Sequence, residues 1–217
     1  MLNFMDKELR NKLIRIAKER IASHDPSHDF EHALRCLTLA EKITKDEKAD
    51  LDIIIPAALF HDVVNYPKND PKAKYASDES AEFAKKILKN IKDYPKNRID
   101  KVFIAIKQCS FSKGIIPDIL EAKILQDADK LEATGAISIM RTFSSTGLMQ
   151  RPFYHPEDPF CKNREPDSHN FAIDLFYTRL LKVEALMHTK MGRKIAKRRT
   201  IFLKVFLDEL KKELEGK

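Results

Sequence analysis

The sequence predicts an all-α protein, and two observations lead to this prediction. Apolar residues recur with helical spacing along nearly all of the 217 residues, whereas alternation of apolar and polar residues never persists beyond a few positions. Most of the stretches between the apolar runs are short and rich in Pro, Asn, Asp or Ser, which are typical turn residues. We therefore expect about eight or nine helices joined mainly by short turns.

Four helices are predicted in the first part of the chain. The segment Ser-His-Asp-Pro-Ser at residues 23–27 separates the first two, and prolines 67 and 71 break the chain after the third. The third is the most apolar of the four. The predicted spans are 4–22, 28–46, 51–65 and 77–92.

Five further helices are predicted at 97–109, 117–131, 132–143, 168–190 and 191–215. One long irregular segment, residues 144–167, contains four prolines. A loop of this length is often a lid or a binding loop, and a plain surface excursion is the alternative. Since no repeat, low-complexity block or composition shift marks a boundary, we expect a single domain over residues 1–217 that ends in a basic helix.

Composition excludes several classes of protein. The chain is 43% hydrophobic and carries charges of both signs with a net charge of +7, which indicates a globular protein whose mildly basic surface favours phosphate-bearing partners. Its five glycines match neither G-x-G-x-x-G nor the Walker motif. Cys36, Cys109 and Cys161 lack C-x-x-C spacing, so we expect a reducing cytoplasm and no disulfide framework. The longest apolar run has eight residues, so neither a signal peptide nor a membrane span is expected.

A His-Asp pair lies inside the most apolar stretch of the chain, residues 53–64. This stretch is apolar on all sides of a helical wheel and is therefore predicted to be a buried helix. Burying the carboxylate of Asp62 is costly unless the group is paired or coordinated. His61 and Asp62 are candidate site residues for this reason. The ordinary alternative is a neutral, structural His61 with Asp62 facing a lysine.

The second predicted helix places two histidines and an arginine along one stripe. His28, His32 and Arg35 have the spacing i, i+4 and i+7, which aligns them on one helix face. Apolar residues cover much of the rest of this helix, so it is expected to be largely buried. Such a stripe in a core helix indicates a site, although structural histidines near a helix start are the alternative.

Two aspartates in the sixth predicted helix are further candidates. Asp127 and Asp129 lie about 200° apart on a helical wheel, so only one is expected to face any single ion, and periodicity does not choose between them. Together with His32, His61 and Asp62, either one completes a set of two imidazoles and two carboxylates. This mixture suits Mn²⁺, Fe²⁺, Co²⁺, Ni²⁺ or Zn²⁺ better than Ca²⁺ or Mg²⁺.

The residues in this order resemble the HD-domain superfamily of metal-dependent phosphohydrolases, and in particular its YedJ/YpgQ-like branch. The resemblance spans most of the chain and implies a compact HD-domain helical bundle. It also selects Asp129 as the last metal ligand, because the superfamily uses the Asp of an Ala-Asp dipeptide. The motifs that carry it are HDFEHALR at 28–35, AALFHD at 57–62, SFS at 110–112, DADKLEATGAI at 127–137, RTF at 141–143 and IAKRR at 195–199.

The resemblance implies an enzyme that cleaves a phosphate ester or anhydride, with a small nucleotide as the expected substrate. One divalent metal ion would activate a water molecule, with Mn²⁺ expected first and Fe²⁺, Co²⁺, Ni²⁺, Zn²⁺ or Mg²⁺ as alternatives. Asp62 would orient the water, and Asp127 is a candidate for accepting its proton. The expected substrate-binding residues are His28, Arg35, Lys68 and Lys130. For Lys68, a solvated loop lysine is the alternative.

Two positions depart from the pattern of this branch. Cys109 precedes Ser-Phe-Ser where members usually carry His, so a phosphate or second-metal contact is missing or is replaced by a thiol. Asn65 occupies a position where some nucleotide-cleaving HD enzymes have Glu. A proton relay based on that Glu is therefore not carried over to this chain.

A different class of function is suggested by residues 190–199, which contain six cationic side chains. Such a helix could follow the phosphates of a nucleic acid, which makes a nucleic-acid-binding or regulatory protein the alternative to an enzyme. A solvated face of an amphipathic helix is the more common meaning of such a run.

Overall fold

The computed structural model describes residues 5–21, 29–66, 70–110 and 113–217. These residues contain nine α-helices and no strand, so the all-α prediction is confirmed. Short 3₁₀-helices lie at Pro71–Tyr75, Lys96–Arg98 and Leu180–Leu186. The α-helices are α1 (Lys7–Arg20), α2 (Phe30–Glu47), α3 (Leu51–Phe60), α4 (Ala76–Asn90), α5 (Ile99–Lys107), α6 (Leu120–Leu131), α7 (Ala136–Leu148), α8 (Asp174–Thr178) and α9 (Lys190–Leu214).

Aspartate side chains fix the start of the first three helices. The Asp6 carboxylate accepts the backbone N–H groups of residues 8 and 9 at the start of α1. Asp29 accepts the backbone N–H of His32 at 2.8 Å, and Asp50 accepts that of Asp52 at 2.9 Å. These caps satisfy N–H groups that have no partner within the helix. The cap at Asp29 also places His32 in the first turn of α2.

The chain divides into two compact units, Met1–Asp129 and Lys130–Lys217. In the first unit α3 is central, because it packs against α1, α2, α4 and α5 and every residue of it except Asp52 is buried. A proline inside this helix, Pro56, lacks the N–H that would bind the Asp52 carbonyl. The hydroxyl of Tyr94 donates to that carbonyl at 2.6 Å instead, so the buried helix keeps its backbone satisfied.

The second unit has its own core of buried apolar residues from α8, α9 and the segments beside α8, namely Ile173, Phe176, Leu180, Leu203 and Leu207. A buried ion pair accompanies this core. The Arg164 guanidinium contacts the fully buried Asp174 carboxylate with both terminal nitrogens, one of them at 2.8 Å. Division into two units does not test the single-domain organisation, which stays a prediction.

Three predicted helices, at 51–65, 132–143 and 168–190, and the long loop have wrong boundaries. The helix predicted at 51–65 ends at Phe60, where the His61 ring binds the Ala58 carbonyl and the chain turns. The helix predicted at 168–190 is replaced by α8 and the 3₁₀-helix Leu180–Leu186, since the N–H groups of residues 172 and 173 bind carbonyls of residues 152 and 153 instead of a helical turn. The loop predicted at 144–167 begins later, because α7 continues to Leu148.

A helix that crosses a bilayer needs about 20 consecutive, mainly apolar residues. None of the helices in the described part of the chain is long and apolar enough to cross a membrane.

Candidate metal centre

Two buried histidines form the centre of the site. His32 lies in the first turn of α2 and His61 directly follows α3, and their side chains are 0% and 1% exposed. The two Nε2 atoms are 3.3 Å apart, and the ring planes are inclined by 54°. The packing of α2 against α3 thus brings together two imidazoles that are 29 positions apart in sequence.

A backbone carbonyl fixes the orientation of the second ring. His61 Nδ1 lies 2.8 Å from the Ala58 carbonyl oxygen. Because a carbonyl only accepts, Nδ1 must carry a hydrogen and donate it, so Nε2 is the nitrogen whose lone pair faces His32 when the ring is in its neutral form. A histidine held in this way by a carbonyl is the usual arrangement of a metal-binding imidazole.

Two carboxylates complete the cluster around these nitrogens. Asp62 Oδ2 lies 3.5 Å from His32 Nε2 and 3.7 Å from His61 Nε2. Asp129 Oδ1, from α6, lies 3.6 Å from His32 Nε2. The side chains of Asp62 and Asp129 are 28% and 31% exposed, so the carboxylates face solvent while the histidines do not. Four oxygen and nitrogen donors therefore converge at a point that solvent can reach.

The electrostatics of this cluster favour positive charge at its centre. Burial lowers the pKa of His61, but the Asp62 carboxylate and the Cys36 thiol outweigh burial and raise the pKa to about 9. A buried imidazole would otherwise lose its proton more easily than in water. The donors are thus arranged for a cation, and the residues present fit a divalent metal ion.

A cysteine that the sequence analysis did not assign to the site also lies in it. Cys36 is one turn after His32 in α2, is fully buried, and has its Sγ 3.6 Å from His32 Nε2. Donor atoms of His32, Cys36, His61 and Asp129 all lie within 4.8 Å of one another. The spacing H-x-x-x-C was visible in the sequence, and on a helix it places both side chains on one face.

The cysteine that replaces the usual His before Ser-Phe-Ser is buried as well. Burial, followed by the charges of Asp129 and Asp62, raises the pKa of the Cys109 thiol well above its ordinary value. Cys109 is therefore a neutral thiol at physiological pH. Residues 111 and 112 of that motif lie outside the described residues.

Comparison with known proteins shows the family to which this chain belongs. The sequence model of the HD domain matches residues 29–134, and YpgQ of Bacillus subtilis is 30% identical over 216 residues, which are 97% of each chain. This chain belongs to the HD-domain family. The crystal structure of B. subtilis YpgQ in complex with ADP matches 95% of each chain with 25% identity and a TM-score of 0.71. An HD-superfamily hydrolase from Bacillus thuringiensis matches 97% of this chain and 99% of its own with 26% identity and a TM-score of 0.72.

The predicted HD-domain resemblance and fold are confirmed by these matches, and the chain is an HD-type phosphohydrolase. The His-Asp pair that names the family is His61–Asp62. The structure brings these two residues together with His32 and Asp129.

The remaining predicted site residues are not among the donors described above. Arg35 is half-buried on α2, and Asp127 is fully buried on α6. The Lys130 ammonium donates to the Leu186 carbonyl at 2.9 Å and lies 3.2 Å from His188 Nε2, contacts within the second unit that its sequence position did not reveal. His28 and Lys68 lie outside the described residues.

Proposed function

We propose that this HD domain hydrolyses a phosphate ester or anhydride of a small nucleotide, and that it does so with one divalent metal ion. The ion would be held by His32, His61, Asp62 and Asp129. The observation that carries the proposal is the pair of buried Nε2 atoms 3.3 Å apart, with oxygens of two carboxylates within 3.7 Å of them. Two carboxylates balance the charge of a divalent ion, and the four donors leave further coordination positions for ligands.

A divalent ion bound there would acidify a water molecule and neutralise charge on the phosphoryl oxygens. On this proposal, Asp62 orients the attacking water, because its carboxylate lies beside both histidines and is reached by solvent. Asp127 is the candidate acceptor of the proton, and its complete burial favours a role one layer behind the metal ligands. Asn65 offers no carboxylate for this step.

The metal expected first is Mn²⁺, with Fe²⁺, Co²⁺, Ni²⁺, Zn²⁺ and Mg²⁺ as alternatives. Two imidazoles among the donors favour the transition metals over Mg²⁺, which prefers oxygen ligands. Three free cysteines among the described residues support a cytoplasmic location, where thiols stay reduced.

A nucleotide substrate is supported by the relative YpgQ, which was crystallised with ADP. Arg35 shares a helix with His32 and would hold the phosphate with its guanidinium fork. The same role is proposed for Lys130, His28 and Lys68. For Lys130 the proposal requires its ammonium to serve phosphate in addition to the Leu186 carbonyl that it already binds.

Metal analysis combined with a substrate screen tests this proposal. Protein stripped with a chelator is reloaded with Mn²⁺, Co²⁺ or Zn²⁺, and phosphate release is measured from nucleoside mono-, di- and triphosphates and from simple phosphomonoesters and phosphodiesters. We expect metal-dependent hydrolysis of at least one nucleotide. The matched variants are His61→Ala, which should be inactive, and His169→Ala, which removes an exposed histidine and should be fully active. Hydrolysis that survives in His61→Ala would contradict the proposal.

The nucleic-acid alternative is not proposed, because the basic helix is partly used within its own unit. Arg193 donates to the Met187 carbonyl at 3.0 Å, and Arg199 donates to the Leu131 carbonyl. Strong, steeply salt-dependent binding of random oligonucleotides by protein without bound metal would restore it.

A further inference from the structure

A cavity of about 340 Å³ opens in the second unit between the start of α7 and the middle of α9. Volumes of this size are typical of small-molecule sites. All of its lining residues belong to this unit, and none is a proposed metal ligand or substrate-binding residue. The lining is formed by residues 134–137, Arg198, Arg199 and Phe202.

The wall of the cavity at the start of α7 favours negative charge. Gly135 directly precedes this helix with a φ of 84°, and it has no side chain that could cap the first turn. The first N–H groups of a helix have no partner within it, and the helix dipole adds partial positive charge there. Such an end is suited to a phosphate group. Among the described residues, no Asp or Glu lines the cavity to oppose an anion.

Two arginines of α9 add full positive charge to the same cavity. The side chain of Arg199 lies over Gly135, and a Cβ at that glycine would meet it at 3.0–3.1 Å, so only glycine leaves room for this approach. Arg199 also donates to the Leu131 carbonyl. Arg198 is exposed and pairs with no carboxylate of a described residue. Its guanidinium fork can therefore bind two phosphate oxygens.

The hydroxyl of Thr134 is a buried polar group that lacks a partner. This residue lines the cavity and is 0% exposed, and its Oγ1 forms no hydrogen bond with any described residue. Burying a hydroxyl in this state is costly, and native proteins usually satisfy such groups. An oxygen of a ligand at the floor of the cavity would supply the partner. The Thr134 hydroxyl thus indicates an occupant.

The remaining lining is apolar and includes an aromatic ring. Phe202 is 48% exposed on α9, and the half-buried Ile137 lies on α7. An accessible aromatic ring provides a surface on which a nucleic-acid base can stack. The cavity therefore combines an anion-binding wall with a surface for a flat, apolar group.

We propose that this cavity is a second ligand site, which binds a nucleoside phosphate with its phosphate at the start of α7 beside Arg198 and its base against Phe202. Binding involves no covalent step and needs no metal ion. The site is thus independent of the proposed hydrolysis, and either proposal can fail while the other stands. Inorganic phosphate alone makes only half of these contacts and should bind much more weakly than a nucleotide.

Calorimetry with ADP tests the second site. The full-length protein is kept in excess chelator, so that no metal-bound nucleotide contributes, and is titrated with ADP and separately with inorganic phosphate. Arg198→Gln removes a charged donor and should weaken ADP binding about 10–100-fold. Phe202→Ala removes the stacking surface and should weaken it about tenfold. The matched control is Lys197→Gln, which removes the charge of an exposed neighbour outside the lining and should bind ADP as the parent does.

The outcomes separate the site from its alternatives. Parent protein that does not bind ADP in chelator overturns the proposal, and so does equal affinity of the parent and Arg198→Gln. Inorganic phosphate that binds as tightly as ADP overturns the nucleoside phosphate as the ligand. None of these results bears on metal-dependent phosphate release, which tests the proposed function by itself.

Photolabelling locates the bound nucleotide without any substitution. The parent protein in chelator is illuminated with 8-azido-ADP, whose reactive group lies on the base, and the labelled peptides are mapped by mass spectrometry. We expect the label within residues 134–137 or 198–202, and excess ADP should prevent it. Label confined to the peptides that contain His32 or His61 would contradict a second site.

Discussion

The Nε2 atoms of His32 and His61 face each other across 3.3 Å in the interior of the first unit. The Asp29 cap holds His32 at the start of α2, and the Ala58 carbonyl binds the opposite side of the His61 ring. Two inward-facing nitrogens cannot both carry hydrogens at this distance without repulsion, and two lone pairs also repel each other. Either one proton shared in an N–H···N hydrogen bond or a metal ion bound by both lone pairs removes this repulsion, and the Asp62 carboxylate beside both rings stabilises the positive charge of such an ion.

Replacing either residue of the His-Asp pair should therefore remove the metal. We expect one divalent ion per chain in the parent, because the described donors form one cluster, and almost none in His61→Ala or Asp62→Ala. Elemental analysis after gel filtration measures the metal, and phosphate release measures the activity, which should be lost with it. His169→Ala should retain both. Two tightly held ions per chain in the parent would be inconsistent with this arrangement.

The two aspartates of α6 should behave differently. Asp129 Oδ1 lies 3.6 Å from His32 Nε2, so Asp129→Asn removes a charged donor and should release the metal and abolish activity. Asp127 is fully buried, and as a residue behind the ligands its replacement by Asn should keep the metal while activity falls about 10–100-fold.

Metal content and turnover of the two variants are measured side by side, each serving as the control for the other. The ligand assignment is wrong if Asp127→Asn loses the metal while Asp129→Asn keeps it. Circular dichroism of both variants shows whether either loss follows from unfolding.

Much of this site could be predicted because its chemistry conflicts with its surroundings. A His-Asp pair in an otherwise apolar helix and a histidine stripe in a second buried helix both need partners, and the structure places them together. Helical periodicity could not choose between Asp127 and Asp129, since that choice depends on how α6 is rotated about its axis. The family resemblance selected Asp129, which is the one found beside His32.

Contacts between distant segments were not predictable from local patterns. Cys36 resembles an ordinary core residue until α3 places His61 beside it. The predicted helix at 168–190 failed for the same reason, because backbone bonds to residues 152 and 153 compete with the helical turn. The run of cations at 190–199 suggested a solvated face, yet Arg199 binds the last carbonyl of α6.

The two adjacent arginines of α9 should differ in their effect on stability. Arg199 donates to the buried Leu131 carbonyl, and three of its side-chain carbons lie 3.0–3.1 Å from the position that a Cβ on Gly135 would occupy. Arg199→Gln leaves that carbonyl without its charged donor and should lower the free energy of unfolding by about 1–3 kcal/mol. The exposed Arg198 provides the matched control, and Arg198→Gln should change it by less than about 0.5 kcal/mol.

Urea unfolding followed by circular dichroism measures both variants. Turnover of a small phosphate substrate should stay within a few-fold of the parent for Arg198→Gln. Equal stability of the two variants would show that the Leu131 contact contributes nothing measurable.

The Arg164–Asp174 ion pair should make the free energy of unfolding fall at acid pH. Burial raises the pKa of Asp174, but the hydrogen bonds from Arg164 and from the backbone N–H of Asp167 outweigh it, so the pKa lies below its ordinary value. A carboxylate whose folded pKa is depressed binds protons more readily in the unfolded chain. Its contribution is therefore complete above the unfolded pKa of about 3.9 and disappears as the pH falls through the lower, folded pKa.

Asp174→Asn tests this dependence, because it removes the charge while keeping the shape of the side chain. At pH 7 the variant should be less stable by about 3 kcal/mol, the lower end for breaking a buried pair, since Arg164 is 20% exposed. Below about pH 4 the parent should lose this advantage, so the free energies of unfolding of parent and variant should converge.

The control variant is Glu165→Gln, at an exposed neighbour of Arg164. Its free energy of unfolding should follow that of the parent over the whole pH range. A constant difference between the Asp174→Asn variant and the parent from pH 7 to pH 3 would mean that folding does not lower the pKa of Asp174.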